Sequence, residues 1–323
     1  MANNVSFNQA STSQSTPLAV TALGEIADQL GKKDWNFKVD PCTGNDQSWT
    51  TTTQVDTYYY NNTLNCNCNI SDDGVCHVVE LYQNFDRAIS DKHNTVVARQ
   101  GSGSIIKLSA FTHGVVLGLT GILPPALAKL PHLKTIFFVQ FPLACSDLIA
   151  NYLSGNIPQE WASMQLEFLS ISTNNLSGPI PTYLGNITTL KIMRIESNWF
   201  SGFVPPKLGN LVNLELLILS ANNLTGELPA TLINLTKLIE FRISSNNFTG
   251  RVPDFFQTWK QRQKLEIQAS GPEGPIPPSI SALSTLTELD LSFNRLKGNV
   301  PDLGGLARLN LMCLTNDIVL FAK

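Results

Sequence analysis

Three acidic residues in the C-terminal part of the chain, Glu266, Glu288 and Asp290, are the first candidates for chemistry. A pair of carboxylates can hydrolyse a glycosidic bond when one of them is held protonated as a general acid. That protonation requires burial, or a close negative charge, to raise the pKa of the acid. The strand pattern described below places all three on an open, solvated face, so we predict that they are not catalytic.

Other residue types used in catalysis lack their usual partners. The four histidines lie near no serine or cysteine arranged as a triad. The glycine-rich run from Gly101 to Ser104 lacks the third glycine and the strand lysine of a phosphate-binding loop, so the chain cannot carry kinase chemistry. We therefore predict a protein that is not an enzyme and has no catalytic, cofactor-binding or metal-binding residues.

Four of the six cysteines cluster near the N-terminus, as Cys42, Cys66, Cys68 and Cys76. Four cysteines in a small region predict two disulfides, with three possible connectivities. A zinc site is the less favoured alternative. Only one residue separates Cys66 from Cys68, whereas zinc sites commonly have two to four, although His77 adjoins Cys76.

The composition indicates a globular protein without a nucleic-acid partner. Of the 323 residues, 43% are hydrophobic, which is enough for a sizeable core. Only 15% are charged and the net charge is -3, so no broad basic surface is available to phosphates. No apolar run approaches the roughly 20 residues of a spanning helix. The first residues, "MANNVSFNQA", have neither the basic nor the apolar region of a secretory signal.

A tetrad Gly-x-(Ile/Leu/Val)-Pro recurs along most of the chain. The distances between successive tetrad prolines are 34, 23 and then five times 24 residues. A constant period of this length predicts a solenoid of stacked repeats. The tetrad prolines are Pro124, Pro158, Pro181, Pro205, Pro229, Pro253, Pro277 and Pro301.

The unit "LELLILSANNLTGELPATLINLTK", residues 214–237, shows the pattern within one repeat. Leu217 and Leu219 alternate with less buried positions, as in a short strand with one buried face. Asn222 follows, and its amide can bond backbone groups of its own and the adjacent repeat. Gly226 permits a bend, and Pro229 opens the opposite side of the repeat. The predicted asparagine ladder comprises Asn151, Asn174, Asn198, Asn222, Asn246 and Asn294.

Side chains that alternate with the core leucines are expected to form columns on the concave face of the solenoid, about 5 Å apart between repeats. An apolar centre at Leu216 and Ile218 lies between Arg194 and Arg242, and could clamp an extended peptide or an acidic glycan end. The alternative is an ordinary solvated face with incidental charge pairs. The candidate ligand-binding residues are Arg194, Glu196, Leu216, Ile218, Glu240, Arg242, Lys264, Glu266, Glu288 and Asp290.

The first repeat needs a cover, and a helix near the N-terminus can supply it. Thr16 is a suitable N-cap and Pro17 suits the first helical position. Leu23, Ala27 and Leu30 then share one face before Gly31 ends the helix.

These motifs, with the segments "ALGEIADQLGKKDWNFKVDPC", "LTGILPPALAKLPHLKTI" and "FRISSNNFTGRVPDFFQTW", resemble the extracellular region of plant receptor-like serine/threonine kinases, in particular the subgroup with a malectin-like domain after the repeats. The resemblance covers most of residues 20–316. It implies an α/β leucine-rich repeat solenoid: a parallel β-sheet on the concave face, plant-specific 24-residue repeats, a helical or 3-10 convex side and a cysteine-containing N-terminal helical cap.

The resemblance also implies a non-catalytic binding function at the extracellular face of the plasma membrane. The expected partners are a peptide, a glycan or a co-receptor protein, with no nucleic acid and no cofactor. The alternative is a soluble secreted inhibitor of a cell-wall hydrolase, similar to polygalacturonase inhibitors. Those proteins usually end in a C-terminal cysteine cap, whereas this chain has only Cys313 in that region.

We expect five segments: a disordered tail (1–15), the cap (16–81), an insertion or disordered loop (82–113), the repeats (114–317) and a truncated end (318–323). The 34-residue gap places ten extra residues, including Cys145, within 137–150. The malectin-like domain, spanning helix and kinase of the family are not found. Either the chain is a diverged, truncated paralogue, or it was translated from an imperfect gene model. We favour the second interpretation because both insertions fall in the first two repeats.

Asparagine glycosylation would follow if the chain enters the secretory pathway. Asn186 and Asn234 lie on the predicted convex side and are favoured over those beside the strand turn. Asn4 also lies in a sequon, within the predicted tail. The remaining candidates are Asn61, Asn69, Asn175, Asn223 and Asn247.

Overall fold

The fold is seen in a computed structural model, which describes residues 17–30, 52–55, 58–67, 77–87, 108–110, 120–130, 132–137, 152–254 and 256–314. Side chains are described for residues 21–30, 121–130, 132–136, 152–254 and 256–314. The three cysteines at positions 42, 68 and 76 lie outside these ranges, and only the backbone of Cys66 lies within them. The predicted disulfides and the cysteine-containing part of the cap therefore lie outside the described residues.

The N-terminal helix α1 spans Pro17–Gln29, as predicted. Proline at its first position is favoured because that residue has no intrahelical partner for an N–H group. Leu23, Ile26 and Ala27 are fully buried in the same core as the first repeats. The Lys129 ammonium also donates to the Glu25 carboxylate at 2.6 Å, which links α1 to the first 3-10 segment.

Twenty short strands follow in the described parts of the chain. Twelve of them form one sheet in the order β1-β2-β3-β4-β6-β8-β10-β12-β14-β16-β18-β20, six form a second sheet, β15-β13-β11-β9-β7-β5, and β17 pairs with β19. The strands are β1 (Thr52–Val55), β2 (Tyr58–Asn67), β3 (His77–Arg87), β4 (Leu108–Ala110), β5 (Thr120–Ile122), β6 (Thr135–Phe137), β7 (Tyr152–Gly155), β8 (Phe168–Ser170), β9 (Asn175–Pro179), β10 (Ile192–Arg194), β11 (Trp199–Phe203), β12 (Leu216–Ile218), β13 (Asn223–Gly226), β14 (Glu240–Arg242), β15 (Asn247–Phe248), β16 (Lys264–Glu266), β17 (Glu273–Gly274), β18 (Glu288–Asp290), β19 (Arg295–Leu296) and β20 (Leu311–Cys313).

Each repeat contributes a strand to the main sheet, a strand beside the tetrad and a 3-10 segment on the opposite side. Main-sheet strands from β6 to β20 are parallel, so equivalent residues of successive repeats lie side by side. This arrangement confirms the predicted solenoid. The 3-10 segments are Pro125–Lys129, Gln159–Ser163, Thr182–Asn186, Pro206–Asn210, Ala230–Asn234, Phe256–Thr258 and Pro278–Ala282.

The core lies between the main sheet and the 3-10 segments. In the unit at residues 214–237, Leu217 and Leu219 point inward from the strand, and Leu232 and Leu235 close the repeat from the far side, all fully buried. A fully buried leucine contributes roughly 1.5–3 kcal/mol relative to an exposed one. Because the other described repeats place leucine or another apolar residue at the equivalent positions, these side chains form one continuous apolar core.

The buried asparagines connect the main sheet to the turn that follows it. Asn222 accepts from the Phe200 N–H at 3.0 Å and donates to the carbonyls of Ile195 and Leu219 at 3.1 and 3.0 Å. Ala221 before it has a φ of 53°, in the left-handed region. The side chains of Asn174, Asn198, Asn246 and Asn294 donate to strand carbonyls in the same way, and Asn151 lies outside the described residues.

Gly226 of the tetrad is required by its backbone conformation, and the Phe203 side chain occupies the space beside it. Its φ is 76°, which most side chains disfavour, and an added Cβ would lie 2.1 Å from Cδ1 of Phe203 in the preceding repeat. Side chains at the second tetrad position thus extend over the glycine of the next repeat.

Two described strands lie at or inside the predicted insertion. Strand β3 crosses the expected boundary at residues 81/82, and β4 lies inside the predicted insertion of 82–113 and pairs with both β3 and β6. The predicted ten-residue insertion falls mostly outside the described residues. On its two sides, β6 and β7 pair with β8 and β9 of the next repeat, so both ends follow the repeat pattern.

Candidate ligand-binding face

The register of the main sheet produces the predicted columns. Arg194 lies opposite Ser170 on one side and Ile218 on the other. Beyond β10 the alternation continues, since the Thr173 N–H donates to the Glu196 carbonyl at 2.9 Å. Arg194 and Glu196 therefore share the face that points away from the core, which is the predicted concave face. The structure brings all ten candidate residues onto this face.

Charges in the C-terminal half of this face neutralise one another. Arg242 pairs with Glu240 on its own strand and lies 3.7 Å from Glu266 on the next. Lys264 pairs with Glu288. We call these residues, Glu240, Arg242, Lys264, Glu266 and Glu288, the paired cluster. These half-buried ion pairs leave few charges for a ligand.

Asp290 is also held by its own repeat. Its carboxylate accepts from the Ser292 N–H at 3.0 Å and from the Ser292 hydroxyl at 2.6 Å. The acidic residues considered for hydrolysis, Glu266, Glu288 and Asp290, are thus bound to a cation or to a hydroxyl. Within the described ranges no cluster of three or more His, Cys, Asp or Glu could hold a metal ion.

The N-terminal half of the face has a different character. Among the described residues, neither Arg194 nor Glu196 has an ion-pair partner within 4.0 Å. Arg194 Nε and Glu196 Oε2 are buried and lack hydrogen-bond partners there. The same holds for the hydroxyl oxygens of Ser170 in β8 and of Ser172 and Ser220, which lie just beyond the ends of β8 and β12. We call this set the N-terminal concave patch: Ser170, Ser172, Arg194, Glu196 and Ser220.

The apolar centre is smaller than the sequence predicts. Leu216 is half-buried, but Ile218 is only 5% exposed. Ile218 lies between Arg194 and Arg242 on strands about 4.8 Å away, so the aliphatic stems of longer side chains reduce its accessible surface. Ile192, on the N-terminal side of Leu216, is half-buried and provides the second apolar contact.

The second sheet exposes aromatic residues that are not among the candidates predicted from the sequence. Trp199 and Phe203 of β11 are 59% and 69% exposed. The Trp199 indole N–H donates to the Asn175 side-chain oxygen at 3.0 Å. The sequence signal was the replacement of small or polar tetrad-side residues by aromatic ones, since Trp199 stands where neighbouring repeats have Asn175 and Asn223.

The other candidates are distributed over the surface and the last repeat. Cys313 lies opposite Asp290, where burial and then the Asp290 charge raise the pKa of the thiol. Asn61 lies in β2, with only its backbone described, and Asn4 and Asn69 lie outside the described ranges. The described sequon asparagines are all exposed: Asn175, Asn186, Asn223, Asn234 and Asn247. Their glycosylation stays a prediction.

Stacked parallel strands, buried asparagines and 3-10 turns give the described part of the chain a leucine-rich repeat solenoid fold. A family model described as Leucine Rich Repeat matches residues 165–187, 213–235, 237–259 and 285–306. Two Arabidopsis thaliana relatives carry the name of probable leucine-rich repeat receptor-like serine/threonine-protein kinases. The first is 40% identical over 53% of this chain, and the second is 38% identical over 62%.

The chain spans only 13% and 15% of the lengths of these two relatives. Among solved structures, the plant peptide hormone receptor RGFR1 in complex with RGF2 is similar, with a TM-score of 0.52 and 26% identity. The similarity covers 64% of this chain and 35% of the receptor chain. The predicted subgroup with a malectin-like domain stays a prediction. No helix among the described residues is long and apolar enough to cross a membrane.

Proposed function

We propose that this chain is a ligand-binding leucine-rich repeat region of a plant receptor-like kinase, that it faces the cell exterior and that it catalyses no reaction itself. Its relatives are named as such kinases, and the similar receptor RGFR1 was solved with a peptide hormone. A peptide or a co-receptor protein is the partner class that this resemblance supports. The comparisons favour this function over the hydrolase inhibitor.

The main support for the proposal is the concave face of the main sheet, on which equivalent side chains of successive repeats are aligned. Parallel register places polar, charged and apolar side chains in columns along one open surface. An extended ligand can contact several columns at once, which gives it specificity without a deep cavity.

Selection of peptides on the folded chain tests this proposal. A phage-displayed random dodecapeptide library would be panned on the immobilised protein, and selected peptides would then be measured on variants. We expect Leu216→Glu to weaken binding at least tenfold, because it places a carboxylate in the apolar centre. Lys207→Glu, on an exposed 3-10 position of the opposite side, is the matched control and should not change binding. Selected peptides that bind Leu216→Glu as well as the wild type would contradict the proposal.

Glycan occupancy tests the proposed extracellular location. In protein isolated from its own tissue, mass spectrometry should find glycans at Asn186 and Asn234. If every sequon were unmodified in that material, the location would be wrong.

A further inference from the structure

The charged residues of the concave face form two groups, and only one is neutralised by its neighbours. The paired cluster satisfies its charges within and between adjacent strands. Glu167 and Lys191, on the flank of the N-terminal strands, also pair at 2.8 Å. Among the described residues, Arg194 and Glu196 have no ion-pair partner, so the N-terminal concave patch contains polar groups that still need partners.

The spacing of Arg194 and Glu196 does not by itself explain why they remain apart. They are two positions apart on one face, about 6.4–6.8 Å along the strand. Glu240 and Arg242 have the same spacing in the reverse order, and they do form an ion pair. In the N-terminal concave patch, both charges are therefore available to an external partner.

Leaving both groups unpaired is unfavourable because they are half-buried. Arg194 Nε and Glu196 Oε2 are shielded from solvent and lack hydrogen bonds among the described residues. Partial desolvation without a partner costs free energy, which a complementary ligand can recover. In the C-terminal half, the Ser244 hydroxyl accepts from the Gln268 N–H at 3.2 Å. Glu240 Oε1 and Arg242 Nε also lack hydrogen bonds there, but both atoms lie in ion pairs, which Arg194 and Glu196 do not.

We propose that the N-terminal concave patch binds an extended peptide that carries an acidic and a basic side chain two positions apart. The acidic side chain pairs with Arg194, and the basic one pairs with Glu196. This inference rests on the proposed function and specifies its ligand.

Three features favour such a peptide. Side chains two positions apart on an extended peptide lie on one side at about 6.4–6.8 Å, which matches the separation of Arg194 and Glu196. A ligand with a single charge would leave the other group unpaired and more deeply buried, at a cost. Ile192 and Leu216, both half-buried, flank the patch and can contact an apolar residue of the same peptide.

A charge reversal tests this inference directly. The random dodecapeptide library would be panned separately on the wild-type chain and on the double variant Arg194→Glu/Glu196→Arg. We expect both selections to enrich an acidic and a basic residue two positions apart, in opposite orders. Each selected peptide should bind at least tenfold more weakly to the other protein. Identical selected sequences, or sequences without this charge pair, would overturn the inference.

The control is a charge reversal outside the patch. Glu167→Lys/Lys191→Glu keeps an ion pair that already exists, so it should select the same peptides as the wild type. If the Arg194→Glu/Glu196→Arg variant does not fold, the Arg194→Gln/Glu196→Gln variant is used instead. Peptides selected on the wild-type chain should then bind this variant at least tenfold more weakly than the wild type. Peptides that depend on Leu216 but lack the charge pair would overturn this inference while supporting the proposed function. Peptides that are insensitive both to Leu216→Glu and to the charge reversal would overturn both.

Discussion

The buried amide of Asn222 supplies hydrogen bonds that the backbone cannot make where a strand turns out of the sheet. Replacing it with alanine leaves the Phe200 N–H and the carbonyls of Ile195 and Leu219 without this partner in a buried environment. We expect Asn222→Ala to lower the free energy of unfolding by about 2–4 kcal/mol, measured by urea denaturation.

Asn223 provides the matched control for that measurement. It is the next residue in the chain, has the same side chain and is exposed. Asn223→Ala should change stability by less than about 0.5 kcal/mol. Equal effects of the two substitutions would show that the buried amide is not what stabilises the turn.

Arg262 places a guanidinium in the core, at a position where the other repeats have a leucine. It is fully buried, and its three side-chain nitrogens have no hydrogen-bond partner among the described residues. Its carbon Cζ lies 4.3 Å from the Trp259 ring centroid, a cation–π contact that offsets part of the cost. Burial lowers the pKa of Arg262, against the opposing effect of the Glu240 carboxylate.

Substituting Arg262 by leucine should therefore stabilise the protein. Replacing buried charges by apolar residues commonly gains 1–4 kcal/mol, so we expect a gain of about that size in urea denaturation. Lys260→Leu, at an exposed position two residues away, is the control and should give no such gain. A loss of stability in Arg262→Leu would mean that the guanidinium has a favourable role in the core.

Strand register could be predicted from the sequence because the tetrads recur every 24 residues, and this fixes which residues are neighbours. Arg194, Ile218 and Arg242 were therefore expected in one column, where the structure places them. Which charges pair could not be predicted, because that depends on side-chain rotamers and not on spacing. Both the paired cluster and the N-terminal concave patch contain an arginine and a glutamate two positions apart, but only Glu240 and Arg242 of the paired cluster form an ion pair. Likewise, the period indicates burial at position 262 but cannot show how an arginine is accommodated there.

At the scale of the repeat element, substitution of Gly226 can distinguish the stability cost of a disfavoured backbone conformation from that of a steric contact. We expect Gly226→Ala to cost about 1–2 kcal/mol, because alanine disfavours a φ of 76°. The Phe203 ring, 69% exposed, can turn towards solvent, so the added methyl group should cost little more. A double-mutant cycle with Phe203→Ala, measured by thermal unfolding, should show little coupling.

Gly24 is the control for the glycine substitution. It lies inside α1, and an added Cβ would meet no atom within 4 Å. Gly24→Ala should raise stability by about 0.5–1 kcal/mol, since alanine favours the helix. If Phe203→Ala restored most of the stability lost in Gly226→Ala, steric contact would be the dominant cost at the tetrad glycine.

At the scale of the whole molecule, each repeat contacts mainly its neighbours, and α1 covers the N-terminal end of the core. In a quasi-one-dimensional solenoid, damage at one end should not spread evenly along the chain. Ile26 of α1 is fully buried in the core that it shares with Leu123 and Leu127 of the first repeat. A carboxylate at this position would lack partners in an apolar contact.

Hydrogen exchange of Ile26→Asp tests whether the repeats unfold locally. We expect amide protection to fall in residues 120–137, which lie next to α1, and to remain near wild-type levels in residues 216–290. The reason is that each repeat is stabilised by stacking mainly on its adjacent repeats. Glu25→Gln is the control: it removes the half-exposed ion pair with Lys129 and should cost less than about 1 kcal/mol. Equal loss of protection in both regions would show that the solenoid unfolds as one cooperative unit, and that its stability is not set repeat by repeat.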